Sequence, residues 1–160
     1  MLNHPMIRLV ELADGMDYSR LQILANVNLA AIEGLLEACP VRELHPGETL
    51  LEPGRINHTL YAVLSGELSV HLDSPDGEPV RTIGAGETVM ELSVIDGRPT
   101  AAWIVADMPV RVLAMDRDVF WAMVSSSHPF ACNLLRLLAA RLRSGNRLLE
   151  RDLPPVALAS

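Results

Sequence analysis

Between Val41 and Asp116 the chain is cut into short β-type runs by glycines and prolines, and this rhythm constrains the fold more than any other feature. The runs are VREL, TLLE, TLYAVLS, ELSVHL, PVRTI, AAWIVAD and VRVLAMD, rich in Val, Ile, Leu and Thr. HPG, EPGRINH, SGE and DSPDGEP connect them. Short strands parted by such turns predict an antiparallel sandwich or jelly roll rather than a parallel sheet. Ser65-Gly66 is short enough to make a hairpin of its two flanking runs, and Asp76-Gly77 is a strong turn signal. The triplet Gly-Glu-Thr occurs at 47–49 and again at 86–88, which suggests two equivalent turns of a roll.

Helical patterns flank this region. Tyr18 to Ala25 predicts a short helix beyond an N-terminal arm. Asn28 to Ala38 predicts a firmer one, capped by Asn28, with Leu29, Ile32, Leu35 and Leu36 at helical spacing and Pro40 as its stop. Asp116 to Ser125 reads as a helix capped by Asp116. A long helix should run from Pro129 to about Arg151, with Ser127 or His128 at its start. On it Ala131, Leu135, Leu138, Leu142, Gly145 and Leu149 fall on an a/d seam, while Phe130, Leu134, Leu137 and Leu148 share a neighbouring face. One face suits the roll and the other a partner helix, so a homodimer through the last helix is expected. The expected organisation is an arm over 1–27, a domain over 28–151 (roll 41–116, helices 116–125 and 129–151) and a tail over 152–160.

Composition removes several function classes. The chain has 160 residues, enough for one domain with a core, and its formal net charge is −7. That charge argues against a general nucleic-acid footprint. No apolar run reaches the roughly 18 residues that span a bilayer, and the start lacks the pattern of a secretory signal. Cys39 and Cys132 are too far apart for a metal motif and suit buried thiols of a reducing cytoplasm. The histidines 4, 45, 58, 71 and 128 form no H-x-H pair, so no metal site is expected. Ser65 lacks a nucleophile elbow, and Ser125-Ser126-Ser127 with His128 is a helix junction; no catalytic residue is assigned. Trp103 and Trp121 suit core or interface positions. Arg136, Arg141, Arg143, Arg147 and Arg151 on the last helix read as a solvated face, since no aromatic residue interleaves them.

The segment Ile83 to Ala106, IGAGETVMELSVIDGRPTAAWIVA, reads as turn, short helix, turn and strand. Thr88 and Glu91 have the spacing of a capping box, T-x-x-E. A short helix facing a loop with free N–H groups is suited to an anion.

In order, Pro46 to Leu51, Leu60 to Leu68, Gly86-Glu87, Glu91-Leu92 through Ala101-Ala102, and Met115-Asp116-Arg117 resemble the cyclic-nucleotide-binding domain of the catabolite activator protein family and of kinase regulatory subunits. The resemblance covers about Leu29 to Glu150 and implies a mainly β fold with flanking α: a double-stranded β-helix of about eight strands, N-terminal helices and two C-terminal helices. It makes 89–102 similar to the phosphate-binding cassette, F-G-E-L-A-L-L-x-x-x-P-R-A-A, without a gap. It implies a ligand set of Met90, Glu91, Leu92, Ser93, Arg98, Pro99, Thr100 and Ala101. Glu91 would meet the ribose 2′-hydroxyl, and the N–H groups of Leu92 and Ala101 the cyclic phosphate. Leu135 to Leu142 would lie where the family's long helix covers the base.

Two positions depart from the family pattern. Thr100 stands where the family has the arginine that pairs with the phosphate, and Met90 where it has glycine. Losing such an arginine from a desolvated site costs about 2–5 kcal/mol. Arg98 points to the same side of an extended segment as position 100 and could reach a ligand from there; otherwise it is an ordinary turn arginine. The implied function is a non-enzymatic, cytoplasmic sensory module. It needs no cofactor, takes cAMP, cGMP or a related small anion, and signals through the long helix to an effector protein or its own dimer. Activators of the family carry a DNA-binding domain after that helix; with only the tail following here, direct DNA binding is not expected. Two alternatives stay open: a degenerate pocket in a dimerisation or interaction module, and a cupin-like enzyme.

Overall fold

The computed structural model describes residues 17–152, with side chains through 145. The arm before Asp17, the tail from Leu153 and the side chain of Leu149 lie outside these. Eight antiparallel strands make two four-stranded sheets: β1 (Val41–Leu44), β2 (Thr49–Leu51), β3 (Thr59–Ser65), β4 (Glu67–His71), β5 (Arg81–Gly84), β6 (Thr88–Val89), β7 (Trp103–Ala106) and β8 (Val110–Asp116). One sheet has the order β1-β8-β3-β6 and the other β2-β7-β4-β5. The helices are α1 (Glu33–Glu37), α2 (Glu91–Asp96), α3 (Arg117–Ser126) and α4 (His128–Asp152). Of the sandwich and the jelly roll that the strand rhythm allows, this is the jelly roll with flanking helices that the resemblance implies.

The first sheet is buried on both faces, which explains why TLYAVLS and VRVLAMD are nearly continuous apolar runs. Tyr61 and Val63 of β3 and Val112 and Ala114 of β8 face the sandwich interior, with Leu44, Leu68, Ile83 and Ile104. Leu60, Ala62, Leu113 and Met115 point the other way, under the helices, where Phe120, Met123, Phe130 and Leu134 cover them. Two edge-to-face ring pairs, Phe120–Trp121 and Phe120–Phe130, lie in this layer. Asp116 caps α3 through Val119 N at 2.9 Å, and Ser127 Oγ accepts from Phe130 N at the start of α4.

Four expectations change. The Ser65-Gly66 link is not a hairpin: β3 pairs with β6 and β8, β4 with β5 and β7, so the chain crosses from one sheet to the other there. Gly66 has φ +84°, and a Cβ on it would lie 2.4 Å from the Pro109 carbonyl oxygen, so only glycine fits. A short turn is compatible with either topology, and the pairing is decided by distant strands. Second, Thr88 does not start a helix. It opens β6, which pairs with Tyr61 and Ala62, and α2 begins at Glu91 after Met90. Third, the stretches before β1 are tighter and shorter than expected. Tyr18–Arg20, Gln22–Leu24 and Leu29–Ile32 are 3₁₀ turns, only Glu33–Glu37 is α-helical, and Asn28 makes no side-chain cap bond. Fourth, Tyr18, Leu21, Ile23 and Leu24 belong to the core, and Asn133 of α4 donates to the carbonyls of Ile23 and Ala25 at 2.9 and 2.8 Å. The packed unit therefore begins before Asn28.

The two Gly-Glu-Thr turns are structurally equivalent. Gly47 N donates to Ala106 O while Ala106 N donates to Glu48 O; Gly86 N donates to Val63 O while Val63 N donates to Glu87 O. In each turn the glutamate carboxylate also accepts from the backbone N–H three residues earlier, His45 N or Gly84 N. Gly47 and Gly86 both have positive φ.

Candidate functional site

A cavity of about 440 Å³ opens between the inner face of the β2-β7-β4-β5 sheet, α2 with the loop after it, and α4. All eight residues of the implied ligand set line it. The sheet adds Val70, Arg81, Ile83 and Ile104, β6 adds Val89, and α4 adds Arg141. The lining carries three arginines (81, 98, 141) and two carboxylates (Glu91, Asp96), an excess of one positive charge on a chain of net charge −7.

Glu91 is the most constrained group of the site. Its side chain is 1% exposed, and its carboxylate accepts from the Thr88 hydroxyl and from Arg141 Nη1. Arg141 Nη2 also donates to the Thr88 carbonyl. The T-x-x-E spacing thus serves a different end from a capping box: the threonine hydroxyl donates to the glutamate, and both are bound by an arginine fifty residues away in sequence. Arg141 is not on a solvated face; its side chain is 24% exposed. The signal lay in the helix pattern, because Arg141 continues the stripe of buried Phe130 and Leu134 and half-buried Leu137 at spacings of four, three and four.

Met90 has φ +79°, the left-handed region that L side chains rarely adopt, yet it is not glycine. Its side chain is buried in the sandwich core and forms part of the cavity wall. The backbone bend into α2 is therefore kept while a side chain fills part of the space. We expect Met90→Gly to be more stable than Met90→Ala by about 1 kcal/mol, because both lose the side chain and only glycine relieves the backbone. Urea unfolding of the two variants checks this; equal midpoints would contradict it.

Thr100 is turned to its own backbone: Oγ1 accepts from Ala102 N at 3.1 Å, and its carbonyl accepts from Gly54 N at 2.9 Å. Arg98 is the exposed turn arginine, with its side chain 85% accessible and Nε 3.9 Å from Asp96 Oδ2. Leu92 is exposed at the cavity edge and Ser93 is buried.

On α4, Leu135 and Leu142 are exposed, Ala131 and Leu138 are half-buried, and Phe130 and Leu134 are fully covered by the domain. Of the a/d seam, the domain's own core thus takes up part of Leu138 and leaves Leu135 and Leu142 uncovered. Cys39 is buried, and burial, with Asp116 adding to it, pushes its thiol up to about 12. Cys132 is only half-buried, 3.3 Å from His128 Nε2, and so differs from the expected buried thiol.

Ser69, His71 and Asp107 also meet, with Ser69 Oγ 2.7 Å from His71 Nε2 and from Asp107 Oδ1. The serine lies between base and acid, whereas nucleophile activation puts the histidine there, and Ser69 is 1% exposed. Among the described residues no group of three or more His, Cys, Asp or Glu could hold a metal, and no helix is long and apolar enough to cross a membrane.

A jelly roll whose cavity joins a short helix, a loop and a long C-terminal helix is, in class, a regulatory domain of the catabolite-activator type of fold. The family model of the cyclic nucleotide-binding domain matches residues 41–127, and the chain belongs to that family. It is 31% identical over 142 residues to the CRP-like cAMP-activated global transcriptional regulator of Mycobacterium tuberculosis, covering 85% of this chain and 63% of that protein. It is 32% identical over 115 residues to the cyclic AMP receptor protein of Thermus thermophilus, covering 70% and 52%. The chain thus spans between half and two thirds of these relatives. Among solved structures, the Thermus thermophilus catabolite activator protein superposes with TM-score 0.72 at 25% identity, covering 81% of this chain and 62% of that one. A cyclic nucleotide-binding domain from Methylobacillus flagellatus gives 0.68 at 27%, covering 79% and 75%. The Mycobacterium tuberculosis relative is a regulator by name and the solved Thermus thermophilus protein an activator, in keeping with a regulatory domain.

Proposed function

We propose that this chain is a non-enzymatic sensor that binds a cyclic nucleotide, cAMP or cGMP, in the cavity and signals through α4. The observation that carries this reading is the Arg141–Glu91 pair. Arg141 comes from the long helix and Glu91 from the cassette, so a ligand that meets Glu91 alters the bond holding α4 to the roll. Glu91 would take the ribose 2′-hydroxyl, since each carboxylate oxygen keeps a lone pair beyond its present bond. The N–H groups of Leu92 and Ala101 would take the phosphate, and Ser93, Pro99 and Thr100 shape its surroundings. The exposed seam of Leu135 and Leu142 suits pairing with a second copy, through which a shift of α4 would reach an effector protein.

Titration calorimetry of the full chain with each nucleotide tests the reading. The expected result is micromolar binding that weakens at least about tenfold in Glu91→Gln, a variant that keeps the shape of the side chain but not its charge. No heat at millimolar nucleotide would favour the degenerate pocket, for which Thr100 is the motivating residue.

A further inference from the structure

Besides the side on the roll and the a/d seam, α4 has a third face. Phe130, Leu134 and Arg141 turn to the domain, and Leu135 and Leu142 lie on the seam. Arg136, Ala140 and Arg143, all exposed, follow one another at spacings of four and three on the side between. Two turns of helix separate the arginines, roughly 10 Å along the axis. Two adjoining hollows run along this face. One, of about 390 Å³, has Ala139, Ala140 and Ser144 between Arg136 and Arg143. The other, of about 240 Å³, shares Arg136 and Ala140 and extends past Leu137 to Gln22 of the 3₁₀ turn at 22–24. Small residues thus make up much of the floor, and they let another helix lie close to α4.

The charge of this face is uncompensated. No Asp or Glu occurs between Asp118 and Glu150, although the chain has 20 acidic residues. Arg20, Arg55, Arg81, Arg98, Arg111 and Arg141 each meet a carboxylate. Arg143 meets none among the described residues, and the bond of Arg136, 3.5 Å to Asn133 Oδ1, stays within α4. Asn133 is itself fixed, its Nδ2 donating to the carbonyls of Ile23 and Ala25, and so holds Arg136 at the rim of the second hollow. Each guanidinium can pair with a carboxylate through two parallel N–H bonds. A nucleic acid would meet the net charge of −7 carried by the chain and find no aromatic side chain on this face to stack against. A bilayer would need a row of large apolar residues where alanine and serine stand. An acidic protein segment fits both the charge and the close floor.

We propose that this face of α4 docks an acidic helix of a partner protein, whose carboxylates, spaced like Arg136 and Arg143, pair with those two arginines. The surface is separate from the cavity and from the seam, so its test does not depend on what the cavity binds. The probe is an alanine-rich synthetic helix of about 21 residues with one glutamate per heptad. A second peptide of the same composition spreads its glutamates around the helix. Fluorescence anisotropy with the full chain at low salt should show the first peptide binding at least about fivefold tighter than the second. Arg136→Glu with Arg143→Glu should weaken the first peptide at least about tenfold, the scale of two surface ion pairs. The same double variant should bind the peptide that carries lysine in place of glutamate, a rescue that misfolding would not produce. Equal binding by parent and double variant, or no binding at millimolar peptide, would overturn the proposal. Tighter binding of a DNA duplex or of phosphatidylserine vesicles through the same arginines would also overturn it.

Discussion

Replacing Arg141 with methionine is expected to lower the stability of the domain by about 3 kcal/mol, the low end for breaking a buried ion pair by removing one partner. Glu91 is fully buried and has two side-chain partners, Thr88 and Arg141. Without the arginine its charge stays in a low-dielectric site with only a hydroxyl to compensate it. Arg141 itself is a quarter exposed, so water reaching the gap keeps the loss from the upper end of the range. For a chain of this size that corresponds to a fall in Tm of about 6–12 °C. The double variant Arg141→Met with Glu91→Gln should regain much of the loss, because a neutral amide still bonds Thr88 and no charge is stranded. Urea or thermal unfolding of the cycle measures the coupling. A single variant within about 0.5 kcal/mol of the parent would show that the pair is solvent-screened.

Thr100→Arg should tighten cyclic-nucleotide binding by at least about 30-fold, the lower bound set by 2 kcal/mol for a charge pair in a desolvated site. Thr100 spends its hydroxyl on Ala102 N and offers the cavity no charge, whereas an arginine fork would give a phosphate two charge-assisted bonds. The cost is small, since the bond that Thr100 gives up to Ala102 N is only part-buried. Calorimetry at fixed salt reads the change. A gain below about threefold would show that the phosphate already has a cationic partner, with Arg98 the candidate on the same loop.

The strands, most turns and both C-terminal helices were legible because their signals are local. Runs of β-type residues, glycines at positive φ and the caps at Asp116 and Ser127 act within a few residues. The paired Gly-Glu-Thr turns were legible for the same reason, each closing its own carboxylate bond over three residues. The 3₁₀ character of 18–32 was not, since apolar spacing over one turn cannot distinguish a 3₁₀ from an α turn when the core decides the fit. Thr88 was misread because T-x-x-E suits both a capping box and a hydroxyl-carboxylate bond across a strand end.

The sequence by itself determined the jelly roll, the frame of the cassette and the two substitutions within it, for these depend on which residue stands where along the chain. Tertiary structure alone decided that β3 and β4 belong to different sheets, that Arg141 joins Glu91, and that Arg81 lies on the cavity wall. Each of these joins groups whose separation in the chain carries no periodic signal, and each is settled by how sheets and helices close on a shared core. The cavity is made at that closure, so its charges come from β5 and α4 as well as from the cassette.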